Sequence, residues 1–151
     1  MKMNHLKIAP FFLLLAFASC KKDSLSKTDL LTDADGWKMV SLTTDPAIVD
    51  PFTGTQITDL YAQFDACDKD DITTFSANGT FVSDEGATKC DPSDPQTTSG
   101  TWLLSADEKT ITIDGESWTI SELSKSTLRV TYPWVDNSSG ITYTWTATFT
   151  H

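Results

Sequence analysis

The sequence predicts an all-β protein, an eight-stranded antiparallel up-and-down β-barrel with meander topology. Short runs of alternating apolar and polar residues recur from residue 72 to the end of the chain, and such alternation is typical of half-buried strands. Turn signals such as Asn78-Gly79 and Asp114-Gly115 separate these runs. Most connections are short, which favours a closed barrel over a sandwich with crossover connections, and closure also removes exposed strand edges.

The last strand has the clearest pattern. From residue 141 to 150, apolar residues alternate with threonines, so that every second side chain lies on one face. Taken in order, the predicted strands cover residues 37–43, 72–75, 80–83, 102–104, 111–113, 117–121, 127–132 and 141–150. Between the first two, residues 57–66 are interpreted as a short helix, because Leu60, Tyr61 and Phe64 have helical spacing.

The predicted apolar faces are rich in aromatic residues. An eight-stranded barrel has an interior that is either filled by side chains or just large enough for one small ligand. Because bulky rings can fill a shallow barrel completely, a solid core is slightly favoured. If a pocket exists, residues 132–134 would lie at its mouth. The candidate ligand-binding residues are Trp102, Trp118, Tyr132, Trp134, Tyr143 and Trp145.

The N-terminus has the layout of an export signal. A short basic region precedes an apolar run at residues 8–17, which is too short to be a membrane-spanning helix. Small residues and then Cys20 follow, as in a bacterial lipobox, so we expect Cys20 to be lipidated and residues 1–19 to be removed. Residues 20–35 would form a flexible tether and residues 36–151 the barrel domain. Lys21 is not an inner-membrane retention signal, which favours attachment to the outer membrane, facing either the periplasm or the outside.

Composition excludes several functions. The 151 residues carry 11 Lys and Arg against 21 Asp and Glu, a net charge of −10, which argues against binding to nucleic acid. The two histidines are His5, in the leader, and His151, at the last position, so a triad that needs a histidine base is not expected. No catalytic residue, cofactor or metal is predicted. The acidic cluster at Asp65, Asp68, Asp70 and Asp71 lacks the spacing of a calcium-binding loop and is interpreted as solvated surface.

Two further cysteines, Cys67 and Cys90, remain after Cys20 is assigned. An even pair of cysteines in an exported protein is most simply a disulfide. A zinc site is the rival interpretation, but two thiols without a nearby histidine make a poor one.

Taken together, several segments resemble the small lipocalin-like lipoproteins of Gram-negative bacteria. The resemblance covers most of the mature chain and implies a lipid-anchored, lipocalin-like barrel, in a family whose members mostly have no defined function. Here Gly36 directly precedes Trp37, whereas the lipocalin spelling Gly-x-Trp occurs at residues 100–102. The segments that carry the resemblance are Cys20, residues 36–41, 67–75, 78–81, 85–92, 99–102 and 111–115, and the last strand.

Two functions are carried forward from the sequence, and a hydrolase with paired carboxylates is kept as a less favoured third. The first is a monomeric, non-enzymatic module that is anchored to the outer membrane and binds a small hydrophobic ligand in its barrel. The alternative is an envelope protein with a solid barrel whose loops bind a protein or a glycan. The features that motivate this alternative are a filled interior, the loop closed by Cys67 and Cys90, and an exposed Trp134.

Overall fold

The structure is a computed structural model that describes residues 25–33 and 35–151. The predictions for the leader and for Cys20 therefore lie outside the described residues. A 3₁₀ turn at Tyr61–Gln63 follows the second strand. The helix and strands are α1 (Lys27–Leu31), β1 (Trp37–Val49), β2 (Gln56–Asp59), β3 (Ile72–Ser76), β4 (Thr80–Asp84), β5 (Thr97–Leu104), β6 (Thr110–Ile113), β7 (Glu116–Leu123), β8 (Leu128–Val135) and β9 (Thr142–Thr150).

The strands form an eight-stranded antiparallel meander barrel, as predicted. Strands β3 to β9 pair in sequence order, and β1 pairs with both β3 and β9, which closes the sheet on itself. The register runs without interruption through β8 and β9, from Leu128 opposite Phe149 to Val135 opposite Thr142. The ninth strand, β2, lies beside the barrel and pairs only with the second half of β1.

The segment at residues 57–66 differs from the prediction. It contains the end of β2 and the 3₁₀ turn, not an α-helix. Strand β1 is also longer than predicted, because its second half continues into a hairpin in which Ile48 faces Ile57. Leu60, Tyr61 and Phe64, whose spacing suggested a helix, pack against the barrel core.

Antiparallel order gives the barrel two distinct ends. We call the end where β1 begins and β9 ends the lower end, and the turns at residues 77–79, 105–109 and 124–127 lie there. The opposite, upper end carries the turn at 114–115 and the connections 50–71, 85–96 and 136–141. The long connections are therefore all on the upper end.

The lower end is closed by Trp37, which is 1% exposed. Its indole Nε1 donates a hydrogen bond of 2.9 Å to the carbonyl oxygen of Leu31, and its ring lies 4.0 Å from the ring of His151. Gly36 has a φ of +72°, and a Cβ there would come within 2.6 Å of Ile72. Glycine is thus required directly before Trp37, both for the backbone conformation and for the close approach of β3.

Helix α1 packs against this lower end. Leu31 is fully buried, and Lys27 Nζ donates to the carbonyl oxygen of Glu108 in the β5–β6 turn. Ser26 and Asp29 form a capping box at the helix start. The helix lies inside the segment predicted as a flexible tether, so the chain is packed on the barrel from about Ser26 onward. Within the described part of the chain, no helix has the length and apolar character needed to cross a membrane.

The core and every strand lie between Leu31 and Thr150. The largest fully buried side chains are Leu31 of α1, Trp37 of β1 and Ile111 of β6. The described residues therefore contain a complete barrel with its own hydrophobic core.

Candidate functional site

The barrel encloses an apolar cavity of about 390 Å³. Thr73 and Glu116 are the polar residues among the fifteen that line it. A bulge between Met39 and Ser41 shifts the register of β1, and Met39 and Leu42 both line the cavity although they are an odd number of residues apart. The lining residues are Trp37, Met39, Leu42, Thr73, Phe75, Phe81, Ile111, Ile113, Glu116, Trp118, Leu128, Val130, Trp145, Ala147 and Phe149.

The slight preference for a filled interior was therefore wrong. The cavity stays open partly because small side chains, Val130 and Ala147, occupy inward positions of β8 and β9. The large rings lie towards the two ends. Trp102, one of the predicted ligand-binding residues, packs edge-on against Phe75 at 5.4 Å. Its Nε1 donates to the carbonyl oxygens of Ser76 and Thr80, each at 3.0 Å, so Trp102 stabilises the β3–β4 turn and does not line the cavity.

Two of the six predicted residues, Trp118 and Trp145, line the cavity. The other three lie on the same face of the sheet as Trp145, since Tyr132 pairs with Trp145, and Trp134 pairs with Tyr143 two residues nearer the upper end. Tyr132 lies 4.8 Å from Trp118, and Trp134 stacks on Trp145 at 5.4 Å and contacts Tyr143 at 5.5 Å. Trp134 is half-buried in this stack, not exposed as the alternative function requires. These five rings form an aromatic belt along β7, β8 and β9 that fixes the orientation of the two cavity tryptophans.

The belt contains two polar features. The Tyr132 hydroxyl donates a hydrogen bond of 2.8 Å to Glu116 Oε2, and this bond raises the pKa of Tyr132. Trp145 Nε1 is buried, and no acceptor among the described residues lies within hydrogen-bonding distance of it. A buried donor without a partner carries a desolvation cost.

A second cavity, of about 340 Å³, adjoins the first; we call it the side pocket. Strands β1 and β3 pair at only two positions, Trp37 with Thr73 and Lys38 with Ile72, because β3 begins at Ile72. Above this point β1 has no strand neighbour on this side until β2, so a gap opens between β1 and the start of β3. The segment at residues 60–71 covers the gap. The side pocket shares Trp37, Met39, Thr73 and Phe149 with the main cavity and adds Phe64, Asp68, Asp71 and Ser83.

Asp71 is the residue of the side pocket whose negative charge is least favourable. Partial burial and then repulsion by Glu85, Asp70, Asp68 and Asp84 raise the pKa of Asp71 from 3.8 to about 6. Its Oδ1 atom is buried and receives no hydrogen bond from the described residues. Buried polar atoms are nearly always hydrogen-bonded, so this oxygen is one of the exceptions that call for an explanation.

Neighbouring Asp70 has the opposite environment. Its carboxylate accepts hydrogen bonds of 2.9 Å from the backbone N–H groups of Ala87 and Thr88 and a further bond from the Thr88 hydroxyl. Partial burial opposes them, but these bonds lower the pKa of Asp70. Asp70 therefore joins the connection that precedes β3 to the connection that follows β4.

The predicted disulfide is confirmed and joins the same two connections. Cys67 and Cys90 are bonded, with their Cα atoms 5.3 Å apart. The acidic segment that contains Asp68 and Asp71 is thus held over the gap between β1 and β3 by the disulfide and by Asp70. The sequence singled out these carboxylates as a cluster, but it gave no sign that two of them would line a pocket.

We expect Asp71→Asn to stabilise the protein at neutral pH. Because folding raises the pKa of Asp71 to about 6, the folded state holds this proton more tightly than the unfolded state. Stability therefore falls as the pH rises from about 4 to about 6, and the penalty is complete above that range. Each unit of pKa shift corresponds to about 1.36 kcal/mol, which solvent screening of a partly exposed group reduces here to a total on the order of 1 kcal/mol.

Urea unfolding at pH 7.5 and pH 4 measures this effect. The variant should be more stable than the parent protein at pH 7.5, and the difference should vanish near pH 4. An advantage of equal size at both pH values would contradict the assigned cause.

Several cavity residues were not singled out from the sequence. Phe75, Phe81 and Ile113 lie on predicted strands, and the alternation of those strands could have placed them inside. Thr73 and Met39 share the alternating faces of Phe75 and Trp37, whereas Leu42 carried no such signal, because the bulge between Met39 and Ser41 shifts its side chain to the inward face.

An eight-stranded antiparallel meander closed around an apolar cavity is the architecture of the lipocalins. A family model described as a lipocalin-like domain matches residues 35–130, more than half of the chain. The chain therefore belongs to the lipocalin-like domain family.

Comparison with known proteins gives two further findings. No curated protein matches the chain. Among solved structures, the chain is similar to bovine odorant-binding protein in complex with a selenium-containing odorant, with 17% identity, a TM-score of 0.41 and coverage of 86% of this chain and 75% of the other. It is also similar to bovine odorant-binding protein in complex with undecanal, with 18% identity, a TM-score of 0.38 and coverage of 76% and 68%.

Proposed function

We propose that this protein is a non-enzymatic binding module that holds one small apolar molecule inside its barrel. The main cavity carries the proposal. Its volume of about 390 Å³ falls within the range of roughly 300–1,000 Å³ that is typical of small-molecule sites. Its walls are apolar except for Thr73 and Glu116, and such walls favour an apolar ligand by the hydrophobic effect.

The same features disfavour the alternative, in which a solid barrel presents its loops to a protein or glycan. That alternative was motivated by a filled interior and an exposed Trp134. The interior holds a cavity, and Trp134 stacks on Trp145. The loop closed by the disulfide remains, and its carboxylates line the side pocket.

Export and lipid anchoring belong to the same proposal and rest on the lipobox at Cys20. Leu25, the first described residue, is five positions after Cys20 and two before α1 at the lower end. Five residues extend at most about 18 Å. A chain anchored at Cys20 would therefore hold the lower end close to the outer membrane and point the upper end away from it.

A cavity-filling substitution tests the binding function. Ala147 is 1% exposed and lines the cavity, so Ala147→Phe would place a ring in the space that the ligand needs. We expect the affinity for the neutral dye N-phenyl-1-naphthylamine to fall by a factor of at least about 10, as is typical when shape complementarity is lost. Fluorescence titration of residues 21–151 with the disulfide oxidised measures it.

Two further variants make the result interpretable. Thr144→Phe adds the same ring to the exposed face of β9 and should leave the affinity unchanged. Ala147→Leu fills less space and should give an intermediate affinity, even if the larger ring disturbs folding. Equal dye affinity in all four proteins would place the dye outside the barrel and refute the proposal.

A further inference from the structure

All the ionisable side chains that line the two adjoining cavities are acidic. Glu116 lines the main cavity and Asp68 and Asp71 line the side pocket, and no Lys, Arg or His is among the described lining residues. The cations nearest in sequence have other contacts. Lys69 lies over the ring of Tyr61 at 5.2 Å, and Lys89 Nζ donates to the carbonyl oxygen of Asp94. No cationic side chain among the described lining residues therefore balances the negative charge of the side pocket.

The side chain of Asp71 lacks the hydrogen bonds that stabilise its neighbour Asp70. Its buried Oδ1 has no hydrogen bond from the described residues, whereas the neighbouring Asp70 accepts bonds from Ala87 and Thr88. Four other carboxylates crowd Asp71. A positively charged hydrogen-bond donor in the side pocket that binds the Asp71 carboxylate would offset the repulsion between these acidic groups.

The side pocket is not an isolated surface cluster, because it shares four lining side chains with the main cavity. Trp37, Met39, Thr73 and Phe149 line both cavities. A molecule with an apolar body in the barrel would reach the carboxylates if its polar end passed between these four side chains. Such a molecule would match the chemistry of both spaces at once.

We propose that the ligand of the barrel is an amphiphilic cation, with its apolar body in the main cavity and a protonated amine against Asp71 and Asp68. This inference rests on the proposed binding function and specifies the class of ligand. It excludes fatty acids and other anionic amphiphiles, whose head group would add a further negative charge beside Asp68 and Asp71. A neutral amphiphile of the same length would gain the apolar contacts alone.

Competition against N-phenyl-1-naphthylamine separates these classes. Decylamine, decanol and decanoate share a ten-carbon length and differ in head-group charge, and at pH 7.5 they are cationic, neutral and anionic. On residues 21–151 with the disulfide oxidised, we expect decylamine to displace the dye at a concentration at least about 10-fold below that of decanol, since hydrogen bonds to charged groups are the stronger ones. Decanoate should be the weakest.

Two matched variants assign the preference to the side pocket. Asp71→Asn should reduce the decylamine affinity by about 10-fold or more and leave the decanol affinity unchanged. Asp94→Asn removes the same charge from an exposed residue that lines neither cavity, and it should change neither affinity.

Three outcomes would overturn the inference. These are that decanol displaces the dye as well as decylamine does, that decanoate competes best, or that both variants weaken the binding of decylamine equally, which would show a general effect of net charge. In each case the dye still binds in the barrel, so the proposed binding function survives. If the dye and all three competitors fail to bind, the proposed function falls and this inference falls with it.

Discussion

Trp37→Ala should cost about 3–5 kcal/mol of folding free energy, as is usual when a buried tryptophan is truncated. Trp37 is 1% exposed, closes the lower end, and its indole is hydrogen-bonded to the Leu31 carbonyl oxygen. The substitution removes the floor of the cavity and the contact that holds α1. Since small domains are stable by only about 5–15 kcal/mol, a large share of the stability would be lost.

Urea unfolding followed by circular dichroism measures this cost. Trp37→Phe keeps most of the ring volume but leaves the Leu31 carbonyl oxygen without its donor, so we expect a smaller loss of about 1–3 kcal/mol. Phe52→Ala is the matched control, because Phe52 is an aromatic residue that is 96% exposed in the β1–β2 hairpin, and it should change stability by less than about 0.5 kcal/mol. A loss below 1 kcal/mol for Trp37→Ala would show that the lower end is closed by other contacts.

Most of the barrel could be predicted because its strands carry their own signals. Strand β9 alternates apolar residues with threonine along its whole length, and the turns Asn78-Gly79 and Asp114-Gly115 lie where the sequence places them. Strand β2 could not be predicted in this way. It has four residues, it pairs with one neighbour only, and its partner is the extended end of β1. Its conformation depends on a tertiary contact and not on a local pattern.

The candidate site was predictable in part for a related reason. Alternation identifies the inward face of a strand, and it correctly placed Trp118 and Trp145 inside. It does not give the height of a residue along the barrel. Trp102 also faces inward, but the stagger between strands brings it to the β3–β4 turn, where two carbonyl oxygens accept its N–H. Whether an inward aromatic residue lines the cavity or packs at one end depends on the register of the closed sheet.

The side pocket could not be predicted from any local sequence pattern. It exists because β1 and β3 pair at only two positions, which leaves a gap for the connection 60–71 to cover. No pattern in the sequence indicates so short a pairing. Asp71 then acquires its raised pKa from partial burial first and then from carboxylates of β4 and of two separate connections. A group that lowers stability at neutral pH is common where binding requires it, and Asp71→Asn separates the two effects, since it should raise stability and weaken amine binding.

Removal of the disulfide should cause the second largest loss of folding free energy. Cys67 and Cys90 are separated by 23 positions in sequence, and closing a loop of this size stabilises a protein by about 3 kcal/mol in the chain-entropy estimate. The double variant Cys67→Ser/Cys90→Ser should therefore unfold at a lower urea concentration than the oxidised protein. The barrel should remain folded, because the strand pairings and the hydrogen bonds of Asp70 to Ala87 and Thr88 are intact.

The parent protein under a reductant is the control for this variant, since both lack the same bond. Their unfolding midpoints should agree, and a large disagreement would mean that the serines disturb the loops directly. The disulfide also holds the connection that carries Asp68 and Asp71 over the gap between β1 and β3. Reduction should therefore weaken the binding of decylamine more than the binding of decanol. The main cavity is built from strands, whereas the carboxylates of the side pocket lie on one of the two connections that the bond joins. An equal effect on both competitors would instead indicate that the bond supports the barrel as a whole.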